Sequence, residues 1–362
     1  MADYFEIDFL GVETNKSGDA IPLRYELMGQ QYIHVVDGGF QDTGRKVVDH
    51  IREFYGNPSY IDHVVVTHPD GDHAGGVRTV LEEFNVGTLW MLRPWLYSAA
   101  LLPRFARFST IEGLSKRLRE IYSSIDAVEK IANARGINIA EPFQGKVIGA
   151  FSVLAPTPAR YLDLIVESDR TPESVENANK GLLGALAQGA GQVASTIRKL
   201  IQGAWGHEIF SPNETSAENE MSVIQYANLC NKRILLTADA GREALTEAAA
   251  FAEACGLVLP GIDRFQVPHH GSRRNVSTEV LDRWLGPRLA AKPAPGDGHF
   301  QAIVSSAKLD EAHPRKSVVR AMIHRGANVY CTESVNIWIY QNAPARGWGN
   351  ATPASYPEDQ EA

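Results

Sequence analysis

Four residues able to hold a metal ion, His68, Asp70, Asp72 and His73, fall within six positions directly after the apolar run His63-Val64-Val65-Val66-Thr67. That run reads as a strand buried on both faces, and residues 77–84 after the loop read as a helix. Strand, ligand-rich loop and helix in succession describe an α/β unit. Its chemistry sits at the strand's C-terminal end, where open α/β sheets place their sites. Alternate residues of an extended loop point the same way, so 68, 70 and 72 converge on one side and 73 reaches a neighbouring position. Imidazole nitrogen with carboxylate oxygen suits zinc, manganese or iron, and magnesium less well. The plainer reading is a polar turn in which Asp72 caps the following helix. Four ligand types in one loop argue against it.

The rest of the chain extends the α/β pattern. Tyr32-Ile33-His34-Val35-Val36 reads as a strand ending at the turn Asp37-Gly38-Gly39, and residues 46–54 have helical spacing. Residues 95–136 read as helical, 146–149 and 151–154 as strands, and 160–205 as helical again. The run Gly181 to Gly191 within the last stretch is too short to span a bilayer and is flanked by Lys180, Arg198 and Lys199. It reads as a close-packed helix or lid. Strands are expected at 221–226 and 233–237, a helix at 243–254, and a strand entering Val267-Pro268-His269-His270-Gly271-Ser272. Later strands at 302–305 and 328–330 flank a helix at 316–325. The expected organisation is one domain over residues 1–340 with helical insertions at about 95–135 and 160–215. Residues 341–362, rich in Pro, Ala, Gly and Glu, read as a mobile tail.

At 362 residues, 44% hydrophobic and 22% charged, the chain has material for a real core. That excludes a disordered, fibrous or disulfide-stapled chain. No run of about 18 apolar residues is present, so no membrane span is expected, and no secretory signal is read at the N-terminus. Cys230, Cys255 and Cys331 are odd in number and far apart, which fits a reduced cytosol. The net charge of −8 is unevenly spread: residues 264–325 hold eleven Lys and Arg against five Asp and Glu. A basic face can hold an anionic ligand inside an acidic protein, because fields are screened over about 10 Å.

Two distant pieces point to the same site. Asp239 ends the strand Leu235-Leu236-Thr237, where an unpaired carboxylate beside apolar residues is costly unless something neutralises it. His269 and His270 end another strand. Together with Asp37-Gly38-Gly39, His68 to Gly76, Asn219 to Ser222 and His313-Pro314, these motifs resemble the metallo-β-lactamase superfamily. Within it they are most similar to the soluble domain of the ComEC competence proteins.

The resemblance implies an α/β, four-layer αββα sandwich with helical insertions and a site for two divalent ions, zinc or manganese. His68 and Asp70 would bind one ion, Asp72 and His73 the other, with Asp239 bridging and His269 as the remaining ligand. His270 would face the substrate, although the two histidines could exchange roles. Asp37, Asn219 and Ser222 would brace the ligands. Asp70 stands where the superfamily usually has histidine. The middle histidine ligand has no clean counterpart, and His207 is the nearest imidazole in sequence.

Two-metal chemistry serves phosphodiesters as well as lactams and thioesters. The basic excess favours phosphodiesters, with Ser272, Arg273, Arg274, Lys308, Arg315 and Lys316 as candidate phosphate contacts. Asp72 is expected to orient the attacking oxygen, and His313 to protonate a leaving oxygen. The expected activity is a cytoplasmic phosphodiesterase or nuclease acting on nucleic acid or another phosphodiester, without membrane contact. The alternatives are a small-molecule hydrolase (cyclic-nucleotide phosphodiesterase, lactonase or thioesterase) and a non-catalytic binding protein on the same fold. Either helical insertion could form a lid, a partner surface or a self-association surface.

Overall fold

A computed structural model describes residues 3–12, 14–175 and 200–362. The first half contains β1 (Phe5–Phe9), β2 (Ala20–Leu27), β3 (Gln30–Gly38), α1 (Gly44–Phe54), β4 (Tyr60–Val65), α2 (Gly71–Ala74), α3 (Val77–Glu83) and β5 (Asn85–Trp90). Then come α4 (Ser98–Leu101), α5 (Ile111–Ile121), α6 (Ser123–Ala134), β6 (Asn138–Ala140), β7 (Val147–Ile148), β8 (Phe151–Ala155) and α7 (Pro158–Glu167). The second half contains β9 (Leu200–Gln202), α8 (Ala217–Glu220), β10 (Ile224–Leu229), β11 (Lys232–Leu236), α9 (Arg242–Ala254), β12 (Arg264–Gln266) and α10 (Thr278–Leu285). It closes with β13 (Phe300–Val304), α11 (Lys316–His324), β14 (Ala327–Cys331), β15 (Ile337–Gln341) and β16 (Asp359–Glu361).

Two seven-stranded sheets face each other, with strand orders β15-β1-β2-β3-β4-β5-β6 and β14-β13-β12-β11-β10-β8-β7. Strands β3 to β6 and β11 to β14 run parallel, and runs such as Val64-Val65 and Ile234-Leu235-Leu236 are buried on both faces. Leu23, Val35 and Val64 of the first sheet and Phe151, Val153 and Leu236 of the second belong to one buried cluster. On the outside of the second sheet, Ala244, Leu245, Ala248 and Ala252 recur at helical spacing along α9 and pack with Trp284 and Met322. Alanines let this helix approach the sheet closely. The result is the αββα sandwich expected from the sequence.

His34 of β3 is buried against His63 and Phe151 with neither ring nitrogen hydrogen-bonded. Burial first, and the nearby His63 second, hold it well below its ordinary range. As pH falls below about 6.5 the unfolded chain takes up a proton that the folded chain refuses. Stability is therefore lost towards acid by about 1.4 kcal/mol per pH unit until the folded-state value is reached. In denaturant titrations His34→Leu should flatten that slope below about pH 6.5; an unchanged slope would show that His34 does not carry it.

The C-terminal segment corrects the expectation of a mobile tail. β15 adds to the first sheet beside β1. Arg346 then pairs with the buried Glu6 and Asp8 of β1, stacked against Phe54, Tyr55, Trp338 and Trp348, and only 6% of its side chain is exposed. Further on, β16 pairs antiparallel with β9, so residues 200–202 form a strand where a helix was expected. Residues 221–223, expected within a strand, instead follow the short helix α8. The run Gly181 to Gly191, expected as packed helix or lid, lies outside the described residues. No helix among the described residues is long and apolar enough to cross a membrane.

Candidate metal centre

The parallel strands of both sheets deliver their C-terminal loops to one edge. Asp37 ends β3, His68 to His73 follow β4, Asp239 follows β11, His269 and His270 follow β12, and Asp310 and His313 follow β13. Asp19, just before the antiparallel β2, arrives at the same edge. A Cβ on Gly76 would collide with the Gly38 carbonyl, so the loop's glycines let it lie directly on β3. Four non-glycine residues here take left-handed backbone angles: Asp37, Ala238, His269 and His270, with φ of 58°, 47°, 48° and 54°. Such conformations cost on the order of 1–3 kcal/mol each and persist where surrounding contacts impose them. Among those contacts, His269 N–H donates to the Ala238 carbonyl at 3.0 Å, and Thr237 and Ala238 N–H donate to Gln266 Oε1.

Hydrogen bonds on the far side of three imidazoles decide which nitrogen faces inward. Asp37 accepts from Thr67 N–H at 2.9 Å and from the Thr67 hydroxyl at 2.6 Å, and lies 2.8 Å from His73 Nδ1. His73 Nδ1 therefore carries a proton. The Thr67 hydroxyl, having donated to Asp37, accepts from His68 Nδ1 at 3.1 Å. Asn275 donates its amide N–H to the Asp239 carbonyl at 2.8 Å, which turns its Oδ1 towards His269 Nδ1 at 3.0 Å. Each of these rings is thus oriented to present Nε2.

Those nitrogens meet the two oxygens of one carboxylate. Asp239 Oδ2 lies 3.8 Å from His68 Nε2 and 3.6 Å from His269 Nε2. Its Oδ1 lies 3.3 Å from His73 Nε2 and 3.8 Å from His270 Nε2. Asp70 stands on the first side, 3.9 Å from His68, and Asp72 on the second, 3.8 Å from His270. Two donor atoms each about 2.0–2.1 Å from one tetrahedral ion are about 3.3 Å apart. Five of these six gaps, at 3.6–3.9 Å, are too long for good hydrogen bonds and would have to tighten by a few tenths of an ångström around an ion, while the His73–Asp239 gap of 3.3 Å already matches that figure. His68 Nε2, His270 Nε2 and Asp239 Oδ1 are buried without a hydrogen-bond partner, as expected of atoms kept for an ion. The donor set therefore fits divalent metal.

The electrostatics agree. Burial favours a neutral Asp239, but the charges of His269, His73 and His270 hold it well below the ordinary carboxylate range. Burial opposes a charged His73, yet Asp239 and Asp37 hold it well above its usual value. His270, also opposed by burial, is pushed up to about 9 by Asp239, Asp72 and Asp19. The carboxylates thus draw positive charge onto His73 and His270, and a metal ion competes with protons for the same nitrogens.

Of the residues expected to brace the ligands, Asp37 contacts His73 and Asn219 lies beside His269. The Asn219 amide is 2.8 Å from His269 Nδ1, while Ser222 is buried with its hydroxyl unpartnered. His270 is enclosed between Asp72 and Asp239, so both histidines of the pair enter the cluster. His207 packs on Gln360 instead. A cavity of about 360 Å³ beside His269 gathers Ser272, Arg273, Arg274, His313 and Arg315, with Ser211 and Asn213. Lys308 and Lys316 do not line it. Lys308 is exposed, and Lys316 is paired with Asp359 at 2.7 Å. His313 Nδ1 is held 3.1 Å from Asp310. Burial, with the charges of His270 and His269, pushes His313 down to about 4.

Sequence reasoning did not identify Asp19, Gln266, Asn275, Asp310 or Arg170, which pairs with Asp70 at 2.6 Å. Asn275 and Asp310 lie six and three positions from His269 and His313, close enough to have been noticed. Gln266 is likewise three positions before His269, whereas Asp19 and Arg170 reach the site only through the fold.

The family model described as "Metallo-beta-lactamase superfamily" matches residues 31–132, a span that includes Asp37 and the whole loop His68 to His73. No curated protein matches the sequence. Among solved structures, metallo-β-lactamase SMB-1 bound to 2-mercaptoethanesulfonate is 12% identical at a TM-score of 0.31, over 73% of this chain and 81% of that one. A β-lactamase domain protein from Burkholderia ambifaria is 15% identical at a TM-score of 0.30, over 71% of this chain and 63% of that one. The β-lactamase superfamily hydrolase AbOPH is 10% identical at a TM-score of 0.29, over 61% of this chain; the chain spans 56% of its length. The matched segment and the αββα architecture together support membership of the metallo-β-lactamase superfamily, whose members are generally hydrolytic metalloenzymes.

Proposed function

We propose that this chain is a two-metal hydrolase of phosphodiester bonds, akin in its site motifs to the soluble ComEC domain. The observation that carries the reading is the arginine-lined cavity opening beside His269 and His313. His68, Asp70 and His269 would hold one ion, and Asp72, His73 and His270 the other, with Asp239 between them. Nitrogen and carboxylate donors in these proportions suit zinc or manganese. A pair of such ions supplies Lewis acidity, activating water near neutral pH and neutralising charge on a transferring phosphoryl group. Arg273, Arg274 and Arg315 would orient the phosphate through charge-assisted hydrogen bonds. His313, its Nδ1 proton held by Asp310, would offer Nε2 as an acceptor beside that phosphate. Asp72, 3.8 Å from His270, would orient the attacking oxygen.

The cavity's size and its lining favour short or small phosphodiesters over a long single strand, which needs stacking aromatics. None of the residues lining it is aromatic apart from the two histidines. Turnover of a cyclic nucleotide, short single-stranded DNA, RNA and a lactone should be compared before and after chelation. Chelator-sensitive phosphodiester cleavage is expected. Arg274→Ala combined with Arg315→Ala should raise KM for that substrate about 10-fold or more and leave any lactonase activity unchanged. Lactone turnover alone, insensitive to the arginines, would move the assignment to the small-molecule hydrolases.

A further inference from the structure

We infer that Asp19 is a further ligand of the ion position facing Asp239 Oδ1, and that it biases this position towards a hard cation such as manganese. The inference rests on the two-metal reading above. Asp19 is 1% exposed, and its Oδ1 has no hydrogen-bond partner. One donor atom from each of Asp19, Asp239 and His270 lies within 4.8 Å of the other two. His270, the facing side chain, is likewise buried with both ring nitrogens unpartnered.

The carboxylate is held in place rather than left to drift. Its Oδ2 accepts from Gln266 Nε2 at 2.9 Å and lies 3.8 Å from His73 Nδ1. Gln266 is itself fixed by Thr237 and Ala238, the two residues before Asp239. Asp19 N–H donates to the Asp72 carbonyl at 3.2 Å, and the Asp19 carbonyl accepts from Gly39 N–H at 2.6 Å. The loop before β2 is therefore stitched to both the ligand loop and the end of β3, and one carboxylate oxygen is left without a hydrogen-bond partner beside the cluster. A buried, charged carboxylate oxygen without a hydrogen bond is costly unless the group takes up a proton or a cation faces it, and here two other potential metal ligands, Asp239 and His270, stand beside Asp19.

Asp19 also makes the two ion positions unlike. The His68 side has two imidazoles, Asp70 and its share of Asp239, and Asp70 is partly neutralised by Arg170. The His73 side has two imidazoles and three carboxylates, Asp19, Asp72 and Asp239. More oxygen donors and higher coordination number suit manganese, whereas four mixed donors suit zinc.

The test is calorimetric titration of the metal-free full chain with Mn²⁺ and with Zn²⁺, comparing wild type with Asp19→Asn. Asparagine keeps an oxygen for Gln266, so the metal-free variant should melt no lower than wild type. Two ions should bind wild type. In Asp19→Asn, manganese affinity at one position should fall about 100-fold or more, with zinc at the other position unchanged. Asp19→Ser, run alongside, should show the same selective loss. Two ions bound at wild-type affinities would overturn the inference, as would equal weakening of both positions. Wild type binding no ion would overturn the two-metal reading itself, a result distinct from a failure confined to Asp19.

Discussion

Replacing Asp239 by Asn is expected to abolish hydrolysis, by at least on the order of 10³-fold, beyond what losing a single oxyanion donor costs. The reason is geometric. One oxygen of Asp239 faces His68 and His269, the other faces His73 and His270, so both halves of the cluster lean on this carboxylate. Asparagine keeps the shape but removes the charge and turns one oxygen into a donor pointing at imidazole nitrogens. Bound divalent metal should fall with activity, while the chain stays folded because the backbone bond from Asn275 to residue 239 survives. Steady-state rates with elemental analysis on the same samples would check this. Substantial activity with full metal content would show that Asp239 does not bridge.

Asp37→Ala should have the largest effect on stability, about 3–5 kcal/mol, as expected for breaking a buried charged network. Thr67 N–H, the Thr67 hydroxyl and His73 Nδ1 all lose their partner at once in a fully buried setting. Alanine also has no local hydrogen bond to ease the left-handed backbone at φ 58°. The damage passes to the site, because Thr67 orients His68 and Asp37 orients His73. Metal affinity should fall a further 10–100-fold. Asp37→Asn, which keeps two of the three contacts within reach, should lose less of both. Denaturant midpoints and metal titrations on the two variants separate the contributions; equal, small losses in both would contradict the bracing role.

The fold and the centre of the site were largely legible because their signals are local. Parallel strands buried on both faces leave unbroken runs such as Val64-Val65-Val66. The loop from His68 to His73 packs four donors into six positions, and Asp239 and the histidine pair sit at strand ends. What could not be read depends on contacts far apart in the chain. Asp19 reaches the site only because β2 runs antiparallel to β3 and returns its loop to the strands' C-terminal edge. His269 and His270 both enter the cluster because two consecutive left-handed residues turn both rings inward, a backbone choice that side-chain identity does not announce. The tail looked loose because its composition is poor in apolar residues. Its anchor is Arg346, whose partners Glu6 and Asp8 lie at the other end of the chain, where two acidic residues in a strand gave no hint of a buried ion pair.

Metal content tests the central claim most directly. The purified chain, stripped with chelator and then dialysed against Mn²⁺ or Zn²⁺, should regain two ions per chain by elemental analysis. It should also show a raised melting temperature, since an ion that binds only the folded state stabilises it. No bound ion and no thermal shift with either metal would contradict a cluster built around Asp239 to hold cations.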